Sequence, residues 1–310
     1  MIKQILQTIQ FGEMQNYRSI AAFPIFCPPR ENPVEYDTLA DAMLTGLITI
    51  TEVDQGGSVP ELKLTGGSEK PILILEGEEL MGAKQNRILV TTILVAVKGE
   101  VIIPVNCTER GRWAYNSPKF RDSGNLSAYD VKREIKDSVT NSLFFSNKHR
   151  ANQIRTWEKI EELHSKSGTY YTSGSRAMSD AYSAKMPELN EILDHFPILE
   201  GQRGILFIID NKIAGLEILS RPDIYSRLHE KICKSFFISG FSGDRPNLPA
   251  GELNKMCEDF IQSAAGLETH EFKSVGLGTD VRLKGKNILG SGLVYSGELI
   301  HGAVISSDEG

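Results

Sequence analysis

Glu76-Gly-Glu-Glu-Leu-Met-Gly-Ala-Lys-Gln-Asn-Arg87 opens the stretch on which this chain turns, and Cys107-Thr-Glu-Arg-Gly-Arg-Trp113 closes it. Between them run Ile88 to Val97, apolar and β-branched, and then Glu100 to Cys107. Side chains branched at Cβ favour the extended backbone, so both segments read as strands. Lys98-Gly99 reads as the turn that folds one strand back on the other. Pro71 to Leu75, a short apolar run, leads in and stops abruptly at Glu76-Gly-Glu-Glu.

A two-residue turn pairs Val97 with Glu100 and carries Arg87 to Arg110, an unfavourable pairing of like charges. Pro104 has no N–H to give the ladder, so one extra residue there brings Arg87 opposite Glu109 instead. In either register Gln85, Asn86 and Arg87 reach the same end as Glu109, Arg112 and Trp113. Glu76 joins them only if its own strand pairs alongside. Carboxylates, guanidiniums, amides and an indole gathered at one end suit an anionic, planar ligand such as a nucleotide. The competing reading is a solvated hairpin end with ordinary surface ion pairs. The density of ligand-competent residues favours the first.

The chain has 310 residues, 40% hydrophobic and 24% charged, enough for a large core without a disulfide or metal staple. A net charge of −6 argues against a general nucleic-acid binder. Cys27, Cys107, Cys233 and Cys257 are scattered with no C-x-x-C, as expected of reduced thiols. Met1 to Gln10 is too short and too polar for a signal segment, and no membrane segment follows, so a cytoplasmic protein is expected.

Outward from the central stretch, Ile2 to Ile9 and Ser19 to Phe26 read as strands and Tyr36 to Leu44 as a short helix. Ile48 to Val53 and Glu61 to Leu64 read as further strands. Val131, Ile135, Val139 and Leu143 recur every fourth position and predict a helix over 129–143. Ile154, Trp157, Ile160 and Leu163 predict another over 151–163, with Gln153 on the side of Trp157. That amide is either a residue at the stripe's edge or a ligand contact. Ser165 to Ser183 reads as a long loop, and Pro187 to Phe196 as helical.

In the last third, Gly204 to Ile209 and Ile213 to Leu219 flank an Asp210-Asn211 turn. Ser220 is the expected N-cap of a helix striped by Ile224, Leu228, Ile232 and Phe236. A second helix follows Pro249 and stops at Gly266. Glu268 to Ser306 alternates short strands with glycine turns and carries Arg282 and His301. The fold class is α+β: mostly antiparallel sheet, a central helical segment and two further helices in the C-terminal third. Residues 1–310 read as a single domain whose sub-parts are 1–125, β-rich, 126–200, helical, and 201–310, strands around two helices.

Gly276-Leu-Gly278 lacks the third glycine and following helix of a dinucleotide fingerprint, and no P-loop, G-x-S-x-G or H-E-x-x-H is present. The six histidines are isolated in sequence, so no metal and no cofactor is called for. Cys107 reads better as a small buried strand-end residue than as a nucleophile, since no base is near it in sequence.

Glu76-Gly77, Gln85-Asn86-Arg87, Glu109-x-Gly111-Arg112-Trp113, Gln153-x-x-x-Trp157 and His301 resemble one family over nearly the whole chain. It is the domain named for its association with ADP-ribosylglycohydrolases and rhodanese-phosphatase superfamily proteins. The resemblance implies a ligand class, an ADP-ribose- or NAD-type nucleotide, with Gln85, Asn86, Arg87, Arg112, Trp113, Gln153 and His301 binding it. Arg87 and Arg112 suit a pyrophosphate, Trp113 or Tyr115 an adenine, and Gln85 and Asn86 ribose hydroxyls or base edges. Glu76 and Glu109 are the candidate acid and base for hydrolysis at a glycosidic linkage. The alternative is a module that binds such a nucleotide without converting it. A small-molecule ligand is thus the expected partner, with neither nucleic acid nor membrane.

Overall fold

The computed structural model describes residues 1–54, 56–96, 98–170, 174–240 and 248–306. The chain begins with α1 (Ile2–Leu6), β1 (Gln10–Phe11), β2 (Gln15–Tyr17), β3 (Ile20–Phe26), β4 (Asp37–Thr38) and α2 (Leu39–Leu44). Then come β5 (Ile48–Glu52), β6 (Glu61–Gly67), β7 (Ile72–Ile74), β8 (Glu78–Gly82), β9 (Arg87–Leu89), β10 (Ile93–Val95), β11 (Lys98–Cys107) and β12 (Phe120–Leu126). Helices α3 (Tyr129–Ser146), α4 (Gln153–Lys166) and α5 (Met178–Leu193) follow. The last elements are β13 (Gly204–Ile209), β14 (Lys212–Leu219), α6 (Pro222–Phe237), α7 (Ala250–Gly266), β15 (Thr269–Lys273), β16 (Thr279–Lys284), β17 (Ile288–Tyr295) and β18 (Glu298–Ser306). The fold is α+β with mostly antiparallel sheets. No helix among the described residues is long and apolar enough to cross a membrane.

Two compact units share the chain: a terminal unit of Met1–Val34, Pro187–Lys273 and Gly278–Gly310, and a central unit of Glu35–Met186 and Ser274–Leu277. The terminal unit is built on an antiparallel sheet ordered β1-β3-β13-β14-β18-β17-β16-β15, with β2 also on β3. Alternation sends Leu206, Leu216, Ile218, Val281, Leu283 and Val304 into one core with Leu253, Cys257 and Phe260 of α7. On α6, Phe236 stacks on Phe207 of β13 at 4.6 Å between ring centres. The expected strand over Ile2 to Ile9 is instead α1. Ile2, Ile5, Leu6 and Ile9 fall at helical spacing, and Ile2 and Leu6, one turn apart, are both buried in that core.

The central unit holds a six-stranded sheet, β12-β8-β9-β11-β6-β5, and a three-stranded one, β10-β7-β4. The expected hairpin is redrawn here. Ile88 to Val97 is not one strand: β9 pairs β11, whereas β10 pairs β7 in the other sheet. Lys98 and Gly99 are not a turn but strand residues of β11, opposite Gly67 and Gly66. Gly66 lies at φ +151°, and a Cβ there would meet the Leu47 carbonyl at 2.1 Å, so only glycine allows this close approach. Arg87 consequently faces Cys107, not Arg110 or Glu109. Both apolar segments satisfied strand chemistry, but their partners are distant in sequence. Val97 lies outside the described residues.

The expected loop over 165–183 is shorter, because α4 continues to Lys166 and α5 begins at Met178; residues 171–173 lie outside the described residues. Met178, Ala181 and Tyr182 are buried at helical spacing, which the surrounding Ser and Gly obscured. On α4 the buried side is Thr156, Ile160, Leu163 and His164, and Ile154 is exposed. The stripe turned because Thr156 is drawn inward by the Asn106 amide at 3.0 Å. Arg221 rather than Ser220 caps α6, with Pro222 just inside it.

Candidate functional site

Strands β8 and β9 form the hairpin that sets up the site. Glu79 faces Ile88 and Leu80 faces Arg87, and the chain reverses through Gly82 to Asn86. Gly82 takes φ +128°, where a Cβ would stand 2.6 Å from Ser117 Oγ. Asn86 closes the reversal: its Oδ1 accepts from the Gly82 N–H at 3.2 Å, and its side-chain amide donates to Ser179. After β11, the Thr108 N–H donates to the Asn86 carbonyl and carries Glu109 to the reversal, where its Oε2 accepts the Asn86 N–H at 3.2 Å. Gln85, Asn86, Arg87, Glu109, Arg112 and Trp113 are therefore brought to one end, as their spacing led us to expect.

Arg112 spends its donors on the chain itself. Nε and Nη2 grip Glu109 at 2.9 and 2.5 Å, while Nη1 reaches the carbonyls of Ala83 at 2.7 Å and Ala114 at 2.8 Å. Nη2 also approaches Asn86 Oδ1 at 3.3 Å. With five N–H groups so engaged, this guanidinium clamps the loop after β11 onto the reversal. Glu109 is the other half of the clamp. Ser175 and Ala177 fasten the same loop from outside, the Gly111 N–H donating to the Ser175 carbonyl and Ala177 bridging Glu109.

Arg87 is different. Fully buried on β9, it donates from Nη1 to the Gln85 carbonyl and side-chain oxygen, each at 3.2 Å. Its Nη2 stands 3.6 Å from Glu52 Oε1, an ion pair looser than a hydrogen bond. The Trp113 ring covers the guanidinium at 5.5 Å. Lys84 lies over the same indole at 5.4 Å and over Tyr115 at 5.2 Å. Trp113 is 48% exposed and Tyr115 51%, so two large aromatic faces meet solvent around a cation. A cleft of about 560 Å³ opens alongside, lined by Tyr115, Asn116, Ser117 and Pro118.

The remaining candidates go elsewhere. Glu76 precedes β8, and the Gly77 N–H donates to the Leu89 carbonyl, which places Glu76 at the far end of the hairpin from Glu109. It is buried there against Lys136 of α3 at 2.8 Å, its N–H donating to Thr92. Gln153 brackets one residue of β11, accepting the Cys107 N–H at 2.8 Å and donating to the Cys107 carbonyl at 2.9 Å. Trp157 is half-buried under Arg110. His301 belongs to the terminal unit, on β18, with its Nε2 2.6 Å from Glu217 of β14. Burial pushes the Cys107 thiol up to about 11, which keeps it protonated and unreactive.

Four participants were missed from sequence. Glu52 arrives from β5, and nothing local marks it. Lys132 and Lys136 flank the buried face of α3, beside Val131 and Ile135, a signal available from their spacing. Glu79, wholly buried on β8, accepts from Thr108 at 3.0 Å. Burial pushes its carboxyl up to about 7, although hydrogen bonds from Thr108, Ser123 and Asn125 oppose the rise.

Residues 8–305 match the family model of the ARG and Rhodanese-Phosphatase-superfamily-associated Protein domain. The chain belongs to this family. No curated protein and no solved structure matches it. Within this family member the reversal, its Glu109–Arg112 clamp and the aromatic pair all lie in one unit.

Proposed function

We propose that the hairpin end of the central unit binds an anionic nucleotide of the ADP-ribose class, and that its work is recognition rather than hydrolysis. The observation that carries this reading is the pair of exposed rings, Trp113 and Tyr115, around the half-buried Lys84, with Trp113 over Arg87. An aromatic face supports a base, and a lysine at its edge offsets phosphate charge. The family's name supports the ligand class, an ADP-ribose or NAD derivative. Both carboxylates expected to act as acid and base are held by cations, Glu109 by Arg112 and Glu76 by Lys136, at opposite ends of the hairpin. That favours the binding module. Three of the four thiols are buried in the protein, which suits a reducing compartment, the cytoplasm.

Hydrolysis keeps one observation in its favour. Glu79, pushed up to about 7, holds a proton near neutral pH as a general acid must. Calorimetry with ADP-ribose, NAD and ADP, followed by mass spectrometry of the recovered ligand, decides between the two. Binding of at least one, returned unchanged, is the expected result. Trp113→Ala should weaken it by about 1–3 kcal/mol, the worth of one stacked base. Conversion abolished by Glu79→Gln would establish the hydrolytic reading, and no binding at all would end both.

A further inference from the structure

Glu52 stands in none of the motifs that mark this chain, yet β5 delivers its carboxylate to Arg87 with only 3% of the side chain exposed. Its Oε1 accepts the Lys84 backbone N–H at 3.3 Å. Its Oε2 has no hydrogen-bond partner among the described residues, and neither do Nε and Nη2 of the fully buried Arg87. Buried polar atoms are almost always satisfied, so an acceptor beside two donors describes a place for a group that both donates and accepts. The backbone next to it is kept slim. Gly57, at φ +75°, is where a Cβ would stand 3.4 Å from Glu52 Oε2 and 3.2 Å from Lys84 Cδ.

We propose that Glu52 and Arg87 form a subsite for the hydroxyls of a ribose, the one attached to the base held by Trp113; this rests on the nucleotide reading and deepens it. An alcohol oxygen accepts from a guanidinium N–H and donates its own proton to a carboxylate, satisfying both groups at once. A phosphate oxygen has no proton to give near neutral pH and is repelled by Glu52. Arg87 therefore reads sugar, not the pyrophosphate expected of it, and the phosphates fall to Lys84. The base-linked ribose is the one within reach, since the Arg87 guanidinium lies 5.5 Å from the Trp113 ring. Arg87 is fully buried beside the half-exposed Trp113 ring, so that ring must move for the sugar to enter.

Wild-type and Glu52→Gln proteins are titrated with ADP, its 2′,3′-dideoxy analogue and ribose 5-phosphate, with far-UV circular dichroism to confirm folding. The wild type should bind ADP about 10- to 100-fold more tightly than the dideoxy analogue, the worth of a hydrogen bond to a charged group. Glu52→Gln should bring ADP down to the level of the analogue while leaving the analogue's own affinity unchanged. Equal wild-type affinities for the two, or a variant that weakens both alike, overturns the subsite and leaves nucleotide binding standing. If neither nucleotide binds, the nucleotide reading fails, and ribose 5-phosphate decides the subsite: binding lost in Glu52→Gln upholds it, and no binding overturns it. Should Glu52→Gln fail to fold, Glu52→Asp, which withdraws the carboxylate by one methylene, replaces it with the same outcomes.

Discussion

Arg112 and Arg87 carry the same charge and serve opposite ends. Every Arg112 donor is committed to backbone carbonyls, Asn86 or Glu109, so its role is to hold the loop. Removing it strands Glu109, which is buried, and releases the carbonyls of Ala83 and Ala114. Arg112→Ala should therefore cost about 2–4 kcal/mol of stability, somewhat less than a fully buried pair because the guanidinium keeps some solvent contact. Trp113→Ala, at a half-exposed position, should cost less than about 1 kcal/mol while still weakening nucleotide binding. Urea denaturation of the two variants checks this, and equal midpoints would remove the distinction between clamp and platform.

At the scale of elements, the informative contact is α3 against the start of β8. Lys136 and Glu76 are both buried and 2.8 Å apart, on a helix face that also buries Val131, Lys132, Ile135, Val139, Thr140 and Leu143. A charge removed from water is tolerable only with its partner in place. Lys136→Met should cost about 3–5 kcal/mol, and adding Glu76→Gln should return about 2 kcal/mol or more of it. A double-mutant cycle measured by chemical denaturation tests the coupling. Additive losses would mean that the pair does not join helix to hairpin. Gly77 is part of the same joint, at φ +88° with Ser127 Oγ 2.4 Å from where its Cβ would be, so the backbone passes where no side chain fits.

For the whole molecule, buried ionisable groups set opposing demands on pH. The Glu79 carboxyl is pushed up to about 7 from 4.5, so its contribution is fully present below 4.5 and is lost as pH rises through 7. The loss is about 3 kcal/mol from the size of that shift. His164 and His229 are shifted the other way, held below the ordinary value of 6.5 by burial, so theirs is present above 6.5 and lost as pH falls below it. His164 donates from Nε2 to the Ala177 carbonyl and accepts the Thr169 hydroxyl at Nδ1, a bond whose direction protonation must reverse. Glu79→Gln should gain on the wild type by about 3 kcal/mol between pH 5 and pH 8. A stability difference that does not change over that range would show that Glu79 is ionised without cost.

Local pattern alone was enough wherever one segment carries its whole reason. The buried stripe of α6, the stop of α7 near Gly266, and the Asp210-Asn211 turn, where both residues take positive φ, were legible because their spacing or backbone demand is complete within a few residues. So was the meeting of Gln85–Arg87 with Glu109–Trp113, since a strand pair returns the chain to its starting end whichever register it adopts. Tertiary structure decided what register and pairing decide. β11 divides between β9 and β6, a choice among apolar strands that no side chain in β11 announces. The same choice sends Glu76 away from Glu109 and brings Glu52 to Arg87. A side chain's donors can be counted from its name, but whether they are spent on the chain, as in Arg112, or kept, as in Arg87, depends on which distant carbonyls and carboxylates the fold brings within about 3 Å of them.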